Sequence, residues 1–220
     1  MHIELQKVGK KFNTEWIFKD LSFTFEARSA TAILGRNGSG KSTLLQLIAG
    51  NLHPTAGTIH YTLNGKPVPA EQVFRHLTLV APYLELIEEF TLYEMLEFHF
   101  RFKPILPGFT LNSLTDMLGF RVPATKPILQ FSSGMKQRIK LLIAFMSDIP
   151  LLLLDEPTMN LDQAGIGWYH RLITDYTLSR TVIICTNQHQ IESCFATRQL
   201  QVEDYKIQVF TDRNPVSGPG

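Results

Sequence analysis

Gly35-Arg36-Asn37-Gly38-Ser39-Gly40-Lys41-Ser42 is the stretch that decides how the rest of the chain is read. It has the form G-x-x-x-x-G-K-[S/T], and each part has a physical task. The glycines let the backbone curl tightly and turn successive amides inward, making a concave nest for phosphate oxygens. A helix opening at Lys41 adds its positive dipole end, with Thr43 in its first turn. Lys41 offers a point charge to β- and γ-phosphates, and the Ser42 hydroxyl offers a ligand to Mg²⁺. Chance alone produces such a match on the order of once in a hundred chains of this length. Context argues against chance here. The short apolar run Ala30–Leu34 reads as a buried strand, and after the loop Leu44, Leu45, Leu47 and Ile48 recur at helical spacing until Gly50.

Working outward, residues 3–8 and 21–25 alternate like strands that open a sheet. Residues 58–63, Asn64-Gly65 and residues 66–68 spell a hairpin with a type I′ turn. Residues 84–129 carry several prolines and many aromatics and read as an inserted helical lobe. Buried-strand runs return at Leu151–Leu154 and at Thr181–Cys185, with helical segments between and after them. That alternation predicts a parallel sheet covered on both faces. A tail over 212–220 is expected to be disordered.

Asp155 and Glu156 stand at the C-terminal end of the second buried run, the end where doubly wound sheets bind ligands. Asp155 suits Mg²⁺, directly or through water. Glu156 suits polarising the water that attacks a γ-phosphate. Alone, such a pair reads as an exposed acidic strand end. Beside a phosphate loop it reads as catalytic.

Phe131-Ser132-Ser133-Gly134-Met135-Lys136-Gln137-Arg138 resembles the LSGGQ-x-x-R signature of ATP-binding cassette (ABC) ATPases. The order of motifs resembles that family too: phosphate loop, helical lobe, signature, then Leu-Leu-Leu-Leu-Asp-Glu-Pro-Thr. Met159-Asn160-Leu161-Asp162 is similar to the family's D-loop, with Asn160 and Asp162 as its dimer-facing residues. Phe12, in Lys10-Lys11-Phe12-Asn13, matches the aromatic that stacks on adenine. The resemblance implies one ABC ATPase domain over 1–220 with an α/β fold: a P-loop NTPase core with a mainly parallel sheet, an N-terminal antiparallel β subdomain, and an inserted α-helical subdomain at about 84–145. It also implies ATP and Mg²⁺ as cofactors. Two subunits, here expected as a homodimer, would sandwich two ATP, with Ser132, Ser133 and Gly134 of one closing over the phosphates held by the other.

Three departures from the family matter. Pro82 falls where a glutamine usually meets Mg²⁺ or the attacking water. Asn187 falls where a histidine usually stands; its amide donates a hydrogen bond but carries no charge. Ser133 and Met135 replace a glycine and a glutamine of the signature. Slow hydrolysis is therefore expected. His189 reads as an exposed polar residue rather than a substitute for Asn187.

Composition narrows the function further. At 44% hydrophobic and 19% charged, the chain is ordinary for a globular domain. A net charge of +1 supplies no field for nucleic acid, and none is expected as partner. The two cysteines, Cys185 and Cys194, lie in no metal or CxxC pattern and read as reduced thiols. Met1-His2-Ile3-Glu4 lacks the pattern of a secretory leader, and no apolar run approaches the roughly 20 residues of a membrane span. The expectation is a cytoplasmic protein, peripheral on the inner face of the cell membrane, that drives an integral membrane transporter subunit. The signature wording leans towards exporters. Phe98, Phe100 and Phe102, flanked by His99, Arg101 and Lys103, are candidates for the docking patch, although at least two of the three rings are expected in the lobe's own core. The alternatives are a non-transport ABC ATPase acting on nucleic acid or the ribosome, and a slow regulatory ABC subunit.

Overall fold

The computed structural model describes residues 1–206; the tail expected to be disordered lies outside the described residues. β1 (His2–Phe12) and β2 (Glu15–Phe25) form a hairpin, and β4 (Ala56–Leu63) and β5 (Lys66–Val68) extend it into an antiparallel sheet of order β2-β1-β4-β5. Both strands of the first hairpin run longer than the sequence pattern suggests. The β4–β5 turn is as expected: Asn64 (φ 50°) and Gly65 (φ 77°) are both left-handed, as a type I′ turn requires.

β3 (Ala30–Leu34), β6 (Leu77–Val80), β7 (Leu151–Asp155), β8 (Thr181–Thr186) and β9 (Arg198–Gln201) make a second sheet, order β6-β7-β8-β3-β9, in which each neighbouring pair is parallel. The central strands β3, β7 and β8 are buried on both faces, which is why they read as short apolar runs, whereas the edge strand β9 (Arg-Gln-Leu-Gln) does not. Leu152, Leu154, Val182 and Ile184 face one core, shared with α4 (Ser133–Met146) and α5 (Gln163–Tyr176). Leu151, Leu153, Ile183 and Cys185 face the other, shared with α1 (Lys41–Ile48) and the antiparallel sheet. α1 is thereby clamped between two sheets.

The lobe is less helical than expected. Between α2 (Leu92–Phe100) and α4 only α3 (Leu111–Met117) and a single 3₁₀ turn (Ile128–Gln130) intervene; residues 84–91, 101–110 and 118–127 are turns and irregular chain. Pro104, Pro107 and Gly108 prevent α2 from continuing, and Gly119 (φ 74°) stops α3. Capping boxes start both short helices, Thr91 with Glu94 and Thr110 with Ser113. A four-residue helix, α6 (His189–Glu192), follows β8, and a 3₁₀ turn (Val202–Tyr205) follows β9.

Candidate functional site: a phosphate loop at the end of the parallel sheet

The loop from Gly35 to Lys41 joins β3 to α1. Gly35, Gly38 and Gly40 have φ of 152°, 76° and 105°. Gly40 tolerates no side chain on two grounds. Its φ is left-handed, and a Cβ there would lie 2.6 Å from Ile17 and 3.2 Å from Phe18 on β2. α1 accordingly begins on a glycine that offers no side-chain cap, leaving its first amides for a ligand. Lys41 is buried, its ammonium donating to the carbonyls of Gly35 (2.8 Å) and Arg36 (3.2 Å). Asn187 donates through Nδ2 to Asn37 Oδ1 at 3.0 Å, joining the end of β8 to the loop. The Arg36 amide donates to Glu203 at 3.0 Å and the Lys206 ammonium to the Gly38 carbonyl at 3.2 Å, so the turn after β9 braces the loop from outside.

Asp155 is 2% exposed at the end of β7. Burial raises its pKa and the Glu156 charge adds to this, while a hydrogen bond from Ser42 and the charge of Lys41 oppose it. Its Oδ2 is buried without a partner. An orphaned carboxylate oxygen near the Ser42 hydroxyl offers the oxygen ligands a hard divalent cation takes, so Mg²⁺ fits Ser42 and Asp155. Glu156 has φ 45°, in the left-handed region that a non-glycine residue rarely occupies, and its amide is tied to the Cys185 carbonyl at 3.0 Å. Such strain at the residue assigned as base is where functional constraint is expected.

Ser132 caps α4 by accepting from the Met135 amide at 3.2 Å. Gly134 has no room for a side chain, since a Cβ would lie 2.8 Å from the Asn160 carbonyl. Gln137 (to the Pro157 carbonyl, 2.8 Å) and Arg138 (to Asp162, 3.1 Å) fasten the same helix to the loop after Glu156. Asp162 also caps α5 through the Gly165 amide at 2.7 Å; that bond, then Arg138, lowers its pKa. Its carboxylate thus serves its own chain, while Asn160 (φ 66°) stays exposed. Phe12 hangs exposed at the tip of the first hairpin with the Lys10 ammonium 5.1 Å from its ring centre.

The ABC transporter family pattern matches residues 18–159, well over half of the chain. The chain belongs to the ABC transporter family. It is 34% identical over 191 residues to Nod factor export ATP-binding protein I of Sinorhizobium fredii, covering 84% of this chain and 55% of that one. The chain therefore spans little more than half of that relative's length. It is 28% identical to the uncharacterised ABC transporter ATP-binding protein YybJ of Bacillus subtilis, covering 86% of both. Two solved structures share the fold. One is a dimeric, post-hydrolysis ATP-binding cassette bound to ADP and phosphate (TM-score 0.76, 22% identity, 94% of this chain and 97% of that one). The other is a bacterial Atm1-family ABC exporter with ATP bound (TM-score 0.76, 20% identity, 94% and 38%). The chain is accordingly an ABC ATP-binding subunit with the ATPase fold that the motifs imply.

Within that family frame, two residues missed from the sequence stand out. Glu192 on α6 is 1% exposed; its Oε1 accepts from the Thr158 amide (2.9 Å) and hydroxyl (2.6 Å), and its Oε2 has no partner. It pins the Asp-Glu-Pro-Thr box to the segment following Asn187. Tyr83, next to Pro82, lies near Asp155: burial first, then the Asp155 charge, pushes its pKa up to about 12. An acidic residue in an amphipathic stretch and a tyrosine beside a proline gave no sequence signal, because both roles are created by tertiary contact. The side chain of His189 lies outside the described residues.

Proposed function

We propose that this chain is the ATP-hydrolysing motor of an export-type transporter, closing as a homodimer around two Mg·ATP to drive a separate membrane polypeptide. The observation that carries the reading is Asp155 with its partnerless buried oxygen at the end of β7, near Ser42 at the mouth of an uncapped α1. Lys41 and the first amides of α1 bind and orient the triphosphate, with Gly35 to Thr43 as the cradle and Phe12 as the adenine platform. Ser42 and Asp155 would hold Mg²⁺, which would supply positive charge against that developing on the phosphates. Glu156 takes the proton of the attacking water. Asn187 releases Asn37 to donate a hydrogen bond to the γ-phosphate. Ser132, Ser133 and Gly134 of the second copy close the other side, with Asn160 at the seam. Pro82 and Asn187 make hydrolysis slow.

Export is favoured by the name of the Nod factor relatives, and a net charge of +1 disfavours nucleic acid. Among the described residues no helix is long and apolar enough to cross a membrane. In this reading the membrane part is a separate polypeptide and the chain sits peripherally on its cytoplasmic side. A cavity of about 280 Å³ between the core and the lobe suits that contact; it is lined by Leu79, Leu84, Leu86, Met95, Lys103 and Lys140 among others. Beside it the sequence expectation for the aromatics is corrected. Phe98 (41% exposed) and Phe102 (72% exposed) lie outside, and only Phe100 packs on the core. They stack edge to face, Phe90 on Phe98 and Phe98 on Phe102, which holds the rings outward. His99 instead turns inward to Ser147 at 3.0 Å, and burial followed by the Lys103 charge lowers its pKa to about 4. Affinity purification from solubilised membranes tests the reading. An integral membrane protein should copurify and raise the ATPase rate, whereas copurifying RNA or a fast, partner-independent rate would contradict it.

A further inference from the structure

We infer that Glu192 is a positioning residue for hydrolysis, holding the turn that carries Glu156 at a fixed place relative to Asn187. The inference rests on the reading of Glu156 as the base. A carboxylate is costly to bury, and Glu192 is 1% exposed, so its bonds indicate what keeps it there. Its Oε1 takes both polar groups of a single residue, the Thr158 amide at 2.9 Å and the Thr158 hydroxyl at 2.6 Å, and its Oε2 takes none. Two bonds to one residue fix its direction as well as its place.

Thr158 lies in the turn that Glu156 opens. Glu156 has φ 45°, a conformation that persists only where the surroundings hold it. Ahead of that residue the hold is its own amide on the Cys185 carbonyl at 3.0 Å. Behind it, Pro157 has no amide to give, so Thr158 carries the first N–H that another element can grip. Glu192 grips it. The Gln137 amide secures the Pro157 carbonyl from the other side, at 2.8 Å.

From Glu192 the chain leads back to Asn187 in one helical turn. The amides of Ile191 and Glu192 both donate to the Gln188 carbonyl at 3.0 Å, and the Gln188 amide donates to the Thr186 hydroxyl at 2.7 Å. α5 fixes this turn from behind: the Tyr169 hydroxyl donates to the Glu192 carbonyl at 2.8 Å, and His170 Nε2 to the Ile191 carbonyl at 2.6 Å. Asp155 beside Cys185 is the last paired position of β7 and β8. Beyond it, Glu192 joins the loop bearing Glu156 to the loop bearing Asn187, which itself reaches the phosphate loop at Asn37.

The test compares the unmodified chain with Glu192→Ala, Glu192→Gln and Thr158→Val. It measures steady-state hydrolysis, equilibrium binding of labelled ATP in Mg²⁺ and, without nucleotide, amide hydrogen exchange over residues 156–161. Glu192→Ala should lower kcat about 10- to 100-fold, the worth of a displaced reacting group, with ATP affinity within about twofold. Exchange over 156–161 should quicken in the same variant. Glu192→Gln keeps an oxygen for Thr158, and should stay within about threefold in kcat with exchange unchanged. Thr158→Val should lower kcat about three- to tenfold, the worth of one hydrogen bond, and should cost nothing further when combined with Glu192→Ala. It carries the test if Glu192→Ala does not fold. Unchanged kcat in Glu192→Ala or Thr158→Val overturns the inference, as does an ATP affinity that falls as far as kcat. Glu192→Gln as slow as Glu192→Ala would assign the effect to charge and overturn it too. Glu156→Gln assayed alongside separates the readings. If it turns over at the unmodified rate, the base assignment fails; if it is inert while Glu192→Ala is unimpaired, the inference alone fails.

Discussion

Two helices of this chain, α1 and α4, begin in serine- and glycine-rich turns, and they begin in opposite ways. α1 starts on Gly40 with no side-chain cap, held in place by Ile17 and Phe18 of β2. α4 starts on Ser132, whose hydroxyl satisfies the Met135 amide, and its Gly134 is pressed against the Asn160 carbonyl. A bare helix end costs stability unless a ligand occupies it. α1 therefore waits for phosphate from its own chain's site. α4 is provided for internally by Ser132 and needs no ligand; in the proposed dimer it would already be formed when a second copy presents its nucleotide.

The largest effect should come from separating chemistry from binding at the α1 end. Glu156→Gln is expected to cut steady-state phosphate release by about 10²–10⁴-fold while ATP binding survives. Loss of binding along with turnover would mean that Glu156 holds the site together rather than acting in it.

At the α4 end the comparison can be broken by a methyl group. Gly134→Ala forces a Cβ to within 2.8 Å of a backbone oxygen, and should cost about 1–3 kcal/mol in urea unfolding. Ser132→Ala removes only the cap and should cost about 1 kcal/mol. Identical stabilities for both variants and the unmodified chain would show that α4 is no better anchored than α1.

The smallest effect concerns charge. Burial raises the Asp155 pKa above its unfolded value, so the neutral carboxyl is the better folded form. Its stabilisation is present below the unfolded pKa and lost as pH rises through the folded one. At neutral pH without Mg²⁺, Asp155→Asn should therefore stabilise the protein, on the order of 1 kcal/mol, and abolish the Mg²⁺ gain in ATP affinity. The stability difference should shrink in acid. Thermal melts with and without Mg²⁺ across pH would show a destabilised variant if the sign were wrong.

What the sequence made legible follows the same division. Parallel strands buried on both faces must be apolar throughout, so Leu151–Leu154 and Thr181–Cys185 announced themselves. The phosphate loop was readable because its geometry demands glycine at fixed places. The lobe was overread as helix, since its aromatics resemble a buried stripe when several face outward. Glu192 reaches Thr158 across 34 residues, a contact that local spacing does not encode.

The account stands on a triphosphate seated at the uncapped start of α1 with Lys41 beside it. Equilibrium binding of labelled ATP in Mg²⁺ to the unmodified chain and to Lys41→Ala tests this most directly. A loss of at least about tenfold is predicted, the worth of a charge-assisted hydrogen bond. Equal binding by the two proteins would contradict it.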